Sequence, residues 1–191
     1  GDPEGLRFRW EVEGASKWRV QAVRLLDHAF GTTDADQGYA VVPFRLGELL
    51  PTDDGLPNHR SYTTYSSSTM ALYGAVKQGS ALLVAWAHPD TTLDVFTTWP
   101  NHPLVPGSRM HAMSLTLRGE AREFTVHPLG AGGYVEMAKA YRKLAQRNGW
   151  LKTWAEKRKQ FPTVDAMFGA ADFKPFVFSR TIPTSRFNST G

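Results

Sequence analysis

Six histidines, His28, His59, His88, His102, His111 and His127, are the side chains of this chain best suited to moving protons or ligating a metal near neutral pH. Two imidazoles reach one metal when they sit two residues apart on a strand or four apart on a helix, and none of the six is spaced that way. The scatter points to structural roles, and no metal site is expected. Cysteine is absent, so disulfides, thiolate metal ligation and thiol catalysis drop out together.

Other patterns are weighed the same way. "GAGGYV" (Gly130–Val135) opens a helical stretch and invites a phosphate- or dinucleotide-binding reading. The third glycine of that fingerprint falls on Val135, however, and no strand–helix–strand unit surrounds it. A flexible corner between strand and helix is the simpler account. "DADQG" (Asp34–Gly38) and "DDG" (Asp53–Gly55) put carboxylates in loops, where a structural calcium ion would bind, but both are also ordinary turn chemistry. The turn reading is preferred, and no cofactor is expected. "SYTTYSSST" (Ser61–Thr69) is rich in hydroxyls yet lacks the strand–turn–helix nucleophile motif of the serine hydrolases.

Cleavage of a glycosidic bond by paired carboxyl groups needs two of them about 5–10 Å apart across a sugar. The candidates Asp90, Asp94, Glu136 and Asp165 lie in loops or on helix faces, and nothing singles out a pair, so no catalytic residue is assigned. Four aromatic residues near loops and strand ends, Trp86, Trp99, Tyr62 and Tyr65, could stack on sugar rings, although most aromatics of a β-sandwich lie in its core.

The elements that must carry these residues read mostly as strands. "LRFRWEV" alternates, with Leu6, Phe8, Trp10 and Val12 on one face, which predicts a half-buried strand. "WRVQAVRLL" (Trp18–Leu26) begins likewise, with Trp18, Val20 and Ala22 together, and "GYAVVPF" (Gly38–Phe44) is a short apolar run. "PTDDGLPNHRS" (Pro51–Ser61) reads as loop. Met70–His88 reads as a hairpin turning at "KQGS", and Leu93–Trp99 as a further strand. Two strands fill Met113–Leu129, with Met113, Leu115 and Leu117 facing one way. About eight strands at such spacing predict an antiparallel sandwich or barrel, and no internal repeat suggests a propeller.

Helical grammar then takes over. Tyr134, Ala138, Tyr141 and Ala145 form one helical stripe, ended by Asn148-Gly149. A second helix is predicted over Leu151–Gln160 with Trp154 inward, one more turn at Thr163–Gly169, and a buried strand at "PFVFS" (Pro175–Ser179). These readings divide the chain into a sandwich at 1–130, a helical linker at 131–173, and a strand and tail at 174–191.

The 191 residues suffice for a sizeable domain, and 22 Lys and Arg against 18 Asp and Glu leave a net charge of +4. The charges are interspersed, with "KRK" the longest basic run, so nucleic acid is not an expected partner. No apolar run approaches the roughly 20 residues that span a bilayer, and no membrane partner is expected.

"GYAVVPFRLGELL", "ALYGAVKQGSALLVAWAHPD" and above all "HPLGAGGYVEMAKAYRKLAQRNGWLKTWAEKRKQFPTVDAMFGA" resemble the N-terminal region of large bacterial glycoside hydrolase-like proteins related to the endo-α-N-acetylgalactosaminidases. In that group a galactose-mutarotase-like β-sandwich (a supersandwich) and linker helices precede a (β/α)₈ barrel. The resemblance covers most of Gly38–Arg180. It implies a mainly β fold with C-terminal helices, a carbohydrate partner, and catalytic carboxylates on a barrel that this sequence does not contain. It also favours a bacterial exported or periplasmic setting over the cytoplasm. The expected role is a non-catalytic N-terminal domain that packs on the catalytic barrel and shapes the carbohydrate cleft. The alternatives are a stand-alone carbohydrate-binding module and a mutarotase-like sugar epimerase using His and Glu as acid and base.

Overall fold

A strand that is apolar on both faces needs a packing partner on each, and several strands of this chain are of that kind. The structure is a computed structural model, and it describes residues 5–11, 13, 19–44, 47–52, 58–64, 68–98, 103, 106–119 and 121–169. Among them are ten strands: β1 (Leu6–Arg9), β2 (Ala22–Thr33), β3 (Tyr39–Val42), β4 (Glu48–Pro51), β5 (Asn58–Thr63), β6 (Leu72–Lys77), β7 (Ser80–Trp86), β8 (Thr91–Thr97), β9 (Met110–Arg118) and β10 (Glu123–Ala131). Helices α1 (Gly133–Arg147) and α2 (Trp154–Gln160) follow, then a 3₁₀ turn at Pro162–Met167.

All strand pairings are antiparallel. One sheet has six strands in the order β1-β10-β7-β6-β3-β4, and the other has four in the order β2-β9-β8-β5. This is the antiparallel β-sandwich that the strand spacing predicts, with ten strands in place of about eight. The chain forms two compact units, Gly1–Leu151 and Lys152–Gly191.

In the first unit the larger core joins the inward residues of the two sheets. Tyr73, Val84 and Phe124 come from one sheet and Leu93, Met113 and Leu115 from the other. Met113, Leu115 and Leu117 are fully buried, as their alternation predicts. A smaller core lies on the opposite face of the six-stranded sheet, where Leu72, Val76 and Leu83 receive Met137 of α1. Gly74 sits beneath that helix, and a Cβ there would run into the Met137 side chain, so this glycine is the condition for close helix–sheet approach.

Local chemistry closes the elements. The β6–β7 hairpin turns at Gln78 and Gly79, both with positive φ, as a two-residue turn between right-twisted strands requires. At the end of α1 the Trp150 and Gly149 amides donate back to the Ala145 and Gln146 carbonyls, with Gly149 left-handed, which is a Schellman stop. Helix α2 starts with a capping box. The Thr153 hydroxyl accepts from the Glu156 amide, and the Glu156 carboxylate accepts from the Thr153 amide.

Several expectations shift. β1 is exposed throughout, with Leu6 at 59%, because it is an edge strand and only Phe8 finds a partner ring, Phe124. In β2 the inward residues are Val23 and Leu25, opposite Leu117 and Leu115, and Ala22 is exposed, so the expected parity is off by one. The stretch read as loop at Pro51–Ser61 supplies most of β5. The buried stripe of α1 holds Met137, Leu144 and Ala145, while Tyr134 is half exposed. Helix α2 buries none of its residues, and Trp154 packs edge-on against Phe168 of the same unit. The "PFVFS" segment lies outside the described residues.

Candidate functional site

Two of the four aromatics expected to meet a sugar are core residues. Trp86 is 2% exposed, and its indole N–H donates to the Thr64 hydroxyl at 2.7 Å. Tyr62 is 3% exposed, its ring lies 5.7 Å from that of Phe44, and burial pushes its phenol up from the ordinary value. The reason is parity. Tyr62 pairs with Leu93, whose side faces the sandwich, and Trp86 shares a strand face with Val84. Trp99 and Tyr65 lie outside the described residues.

The same parity sends a different set outward from the four-stranded sheet. Because Leu93 and Val95 point in, Thr92, Asp94 and Phe96 point out, and the register aligns each with neighbours on the flanking strands. Asp94 lies between Ser61 and Ser114, Thr92 between Thr63 and Thr116, and Phe96 between His59 and Ala112. The His59 imidazole meets the Asp94 carboxylate at 3.2 Å; the carboxylate is 13% exposed and the imidazole 56%.

β2 completes this face through an irregular backbone. Its register against β9 slips twice, between Leu25 and Ala29 and between Ala29 and Thr32, while Leu26, His28 and Phe30 all take positive φ. Such bulges re-aim side chains, and left-handed conformations in non-glycine residues are held only where surrounding contacts enforce them. Here the enforcing group is the buried Ser114. Its hydroxyl donates to Asp27 at 2.8 Å and accepts from the Arg24 guanidinium at 3.0 Å and the His28 amide at 3.1 Å. Arg24 also pairs with Asp27 at 2.8 Å, and the His28 ring stands edge-on to Phe96 with centroids 5.0 Å apart.

Ser114 gives its proton to a carboxylate and is shielded from solvent, which removes it as a nucleophile. The Ser114 hydroxyl, with Arg24 and His28 beside it, holds the Asp27 carboxyl below its ordinary value and so ionised at neutral pH. The other carboxylates considered have local partners. Glu136 pairs with Lys139, Asp165 with Arg158, and the Asp90 backbone amide donates to His88 Nδ1. The Asp34–Gly38 stretch is a turn in which the Asp36 carboxylate accepts from the Thr33 hydroxyl and pairs with Lys77. Among the described residues no group of three or more His, Asp or Glu could hold a metal ion, and no helix is long and apolar enough to cross a membrane.

The six-stranded sheet offers a contrasting feature. Between α1 and strands β3, β4 and β6 runs an apolar groove of about 710 Å³, lined by Val41, Leu49, Met70, Tyr134, Met137 and Trp150 among others. Leu49, Met70, Tyr134 and Trp150 remain substantially exposed along it. The sequence stripe pointed to the helix but not to the groove, whose other wall comes from Val41 of β3 and Leu49 of β4.

No family model matches the chain, and no curated protein matches it by sequence. Among solved structures, the fold is similar to that of the Bifidobacterium bifidum α-N-acetylgalactosaminidase NagBb, determined in complex with Gal-NHAc-DNJ. The TM-score is 0.59 at 19% identity, over 82% of this chain and 26% of that one. At this identity the likeness is one of fold, and this chain spans about a quarter of that protein's length.

Proposed function

We propose that the chain is a non-catalytic sandwich domain of a carbohydrate-active protein, of the galactose-mutarotase-like kind, docking on a catalytic barrel and forming one wall of its carbohydrate cleft. The observation that carries this reading is the apolar groove beside α1. Solvent-facing apolar surface of that extent, with Leu49, Met70, Tyr134 and Trp150 along it, suits burial against another folded surface. The similarity in fold to part of a longer α-N-acetylgalactosaminidase supports a domain of a glycoside hydrolase as the setting. Hydrolysis would then belong to the barrel, by paired carboxyl groups across the sugar.

The test compares this chain with the native reading frame extended past Gly191. An in-frame continuation in which strands and helices alternate is expected, and in the longer protein the amides of β4 and the start of α1 should exchange more slowly. An immediate stop codon, or identical exchange in both forms, would overturn the docking reading. The alternative reading is a mutarotase-like epimerase using His and Glu as acid and base; His28 and His59 each contact an aspartate, and anomerase activity of this chain on free galactose or glucose would favour it.

A further inference from the structure

We infer that the outer face of the four-stranded sheet is a contact site for a neutral saccharide unit, centred on Phe96 and held by Asp94 and His59 from one side and Asp27 and Arg24 from the other. This rests on reading the chain as part of a carbohydrate-active protein, but a separate surface carries it.

Three observations converge. The first is charge. Arg24 is matched by Asp27, and the Asp94 carboxylate is in contact with the His59 imidazole, so the face carries no cluster of unpaired cations among the described residues. A phosphate or nucleic acid would require spare cations. The second is functionality. Within three rows of side chains the face presents hydroxyls (Ser61, Thr63, Thr92), carboxylate acceptors and basic donors, with one half-buried aromatic ring. Ring hydroxyls of a sugar both donate and accept, and the C–H face of the sugar suits an aromatic surface, whereas an apolar peptide would find little area here. The third is rigidity. Asp27 is fixed by Ser114 and Arg24 on a doubly bulged strand, and the Asp94 carboxylate is largely enclosed while remaining beside an exposed imidazole. Polar groups fixed in advance lose little freedom on binding.

The experiment titrates the ¹⁵N-labelled chain with N-acetylgalactosamine, galactose and, separately, inorganic phosphate, following amide shifts. Saturable shifts in β5, β8 and Asp27–His28 are expected with a sugar, at affinities weaker than about 1 mM, the range of a contact worth roughly 4 kcal/mol. His59→Ala and Asp94→Asn should each weaken binding about tenfold with the spectrum otherwise preserved. His59 is exposed, so its variant keeps the fold even if Asp94→Asn does not.

Absence of saturable sugar shifts on these strands, or sugar shifts confined to the α1 groove, would overturn the proposal. So would phosphate reproducing the pattern, because the face would then be an anion site. The docking reading fails separately. Sugar shifts on β5 and β8 with an unprotected groove would leave this face standing and sink the barrel contact, and the reverse result would do the opposite.

Discussion

The two sheets turn unlike outer faces to their surroundings. The six-stranded sheet is apolar outward as well as inward, so β6 and β7 are buried on both sides and a helix must cover them. The four-stranded sheet is mixed outward: Ala112 of β9 is buried there, beside hydroxyls, the Arg24–Asp27 and His59–Asp94 contacts and the Phe96 ring. One face is built by area, non-directionally, and tolerates whatever fits. The other is built by named contacts at 2.8–3.2 Å, so it is directional and replaceable only residue by residue. A surface of the first kind suits a permanent neighbour, and one of the second kind suits a ligand that comes and goes.

The difference can be tested by truncation. Met137→Ala should be the most damaging change, since it empties the seat of α1 between Leu72, Val76 and Leu83. A loss of about 2–5 kcal/mol in urea unfolding is expected, and a loss under about 1 kcal/mol would show that the helix is not held by that contact. Next comes Thr64→Val between the sheets, which leaves the buried Trp86 indole N–H without its acceptor. About 1–3 kcal/mol should go, with a change in tryptophan fluorescence marking the altered indole.

On the polar face the effects shrink and become dependent on pH. The Asp27 carboxyl is held low by the Ser114 hydroxyl first, with Arg24 and His28 contributing. A depressed folded value means that its stabilisation is present above the unfolded value of about 3.9 and is lost as pH falls through the folded value. Ser114→Ala should therefore flatten the acid limb of stability against pH, without abolishing it, because Asp36 and Glu156 are also held low and lose stabilisation in the same direction. An unchanged acid limb would mean that the bond at Ser114 is not maintained in solution. His59→Ala should cost least, less than about 1 kcal/mol for an exposed pair. A larger loss would make that histidine part of the scaffold rather than of a binding face.

Much of the sandwich was legible because alternation is a local property. Met113, Leu115 and Leu117 face one way in any register, and Gly79 marks its hairpin without reference to distant residues. The candidate face was half legible for the same reason, since inward Leu115 already implies outward Ser114. What joins Ser114 to Asp27 and Arg24 is a pairing across about ninety residues, |i−j| of 87 and 90, on a strand that slips register twice. No periodicity reports such a slip. Tyr62 and Trp86 misled because an aromatic near a loop looks exposed until its strand partner is known; the buried partners Leu93 and Phe124 then place both inside. The helix stripe was displaced for a related reason. The glycines at 132 and 133 set where α1 turns onto the sheet, and they carry no side chain to show it.

Gly74 never lines the groove, yet Met137, which does, rests directly over it. The missing Cβ therefore acts as a spacer of zero thickness between helix and sheet. Each atom added at that position would lift the α1 wall and reset the depth of the cleft from behind. A lineage could retune which neighbouring surface fits by varying one hidden residue, while every side chain that the neighbour touches stays the same.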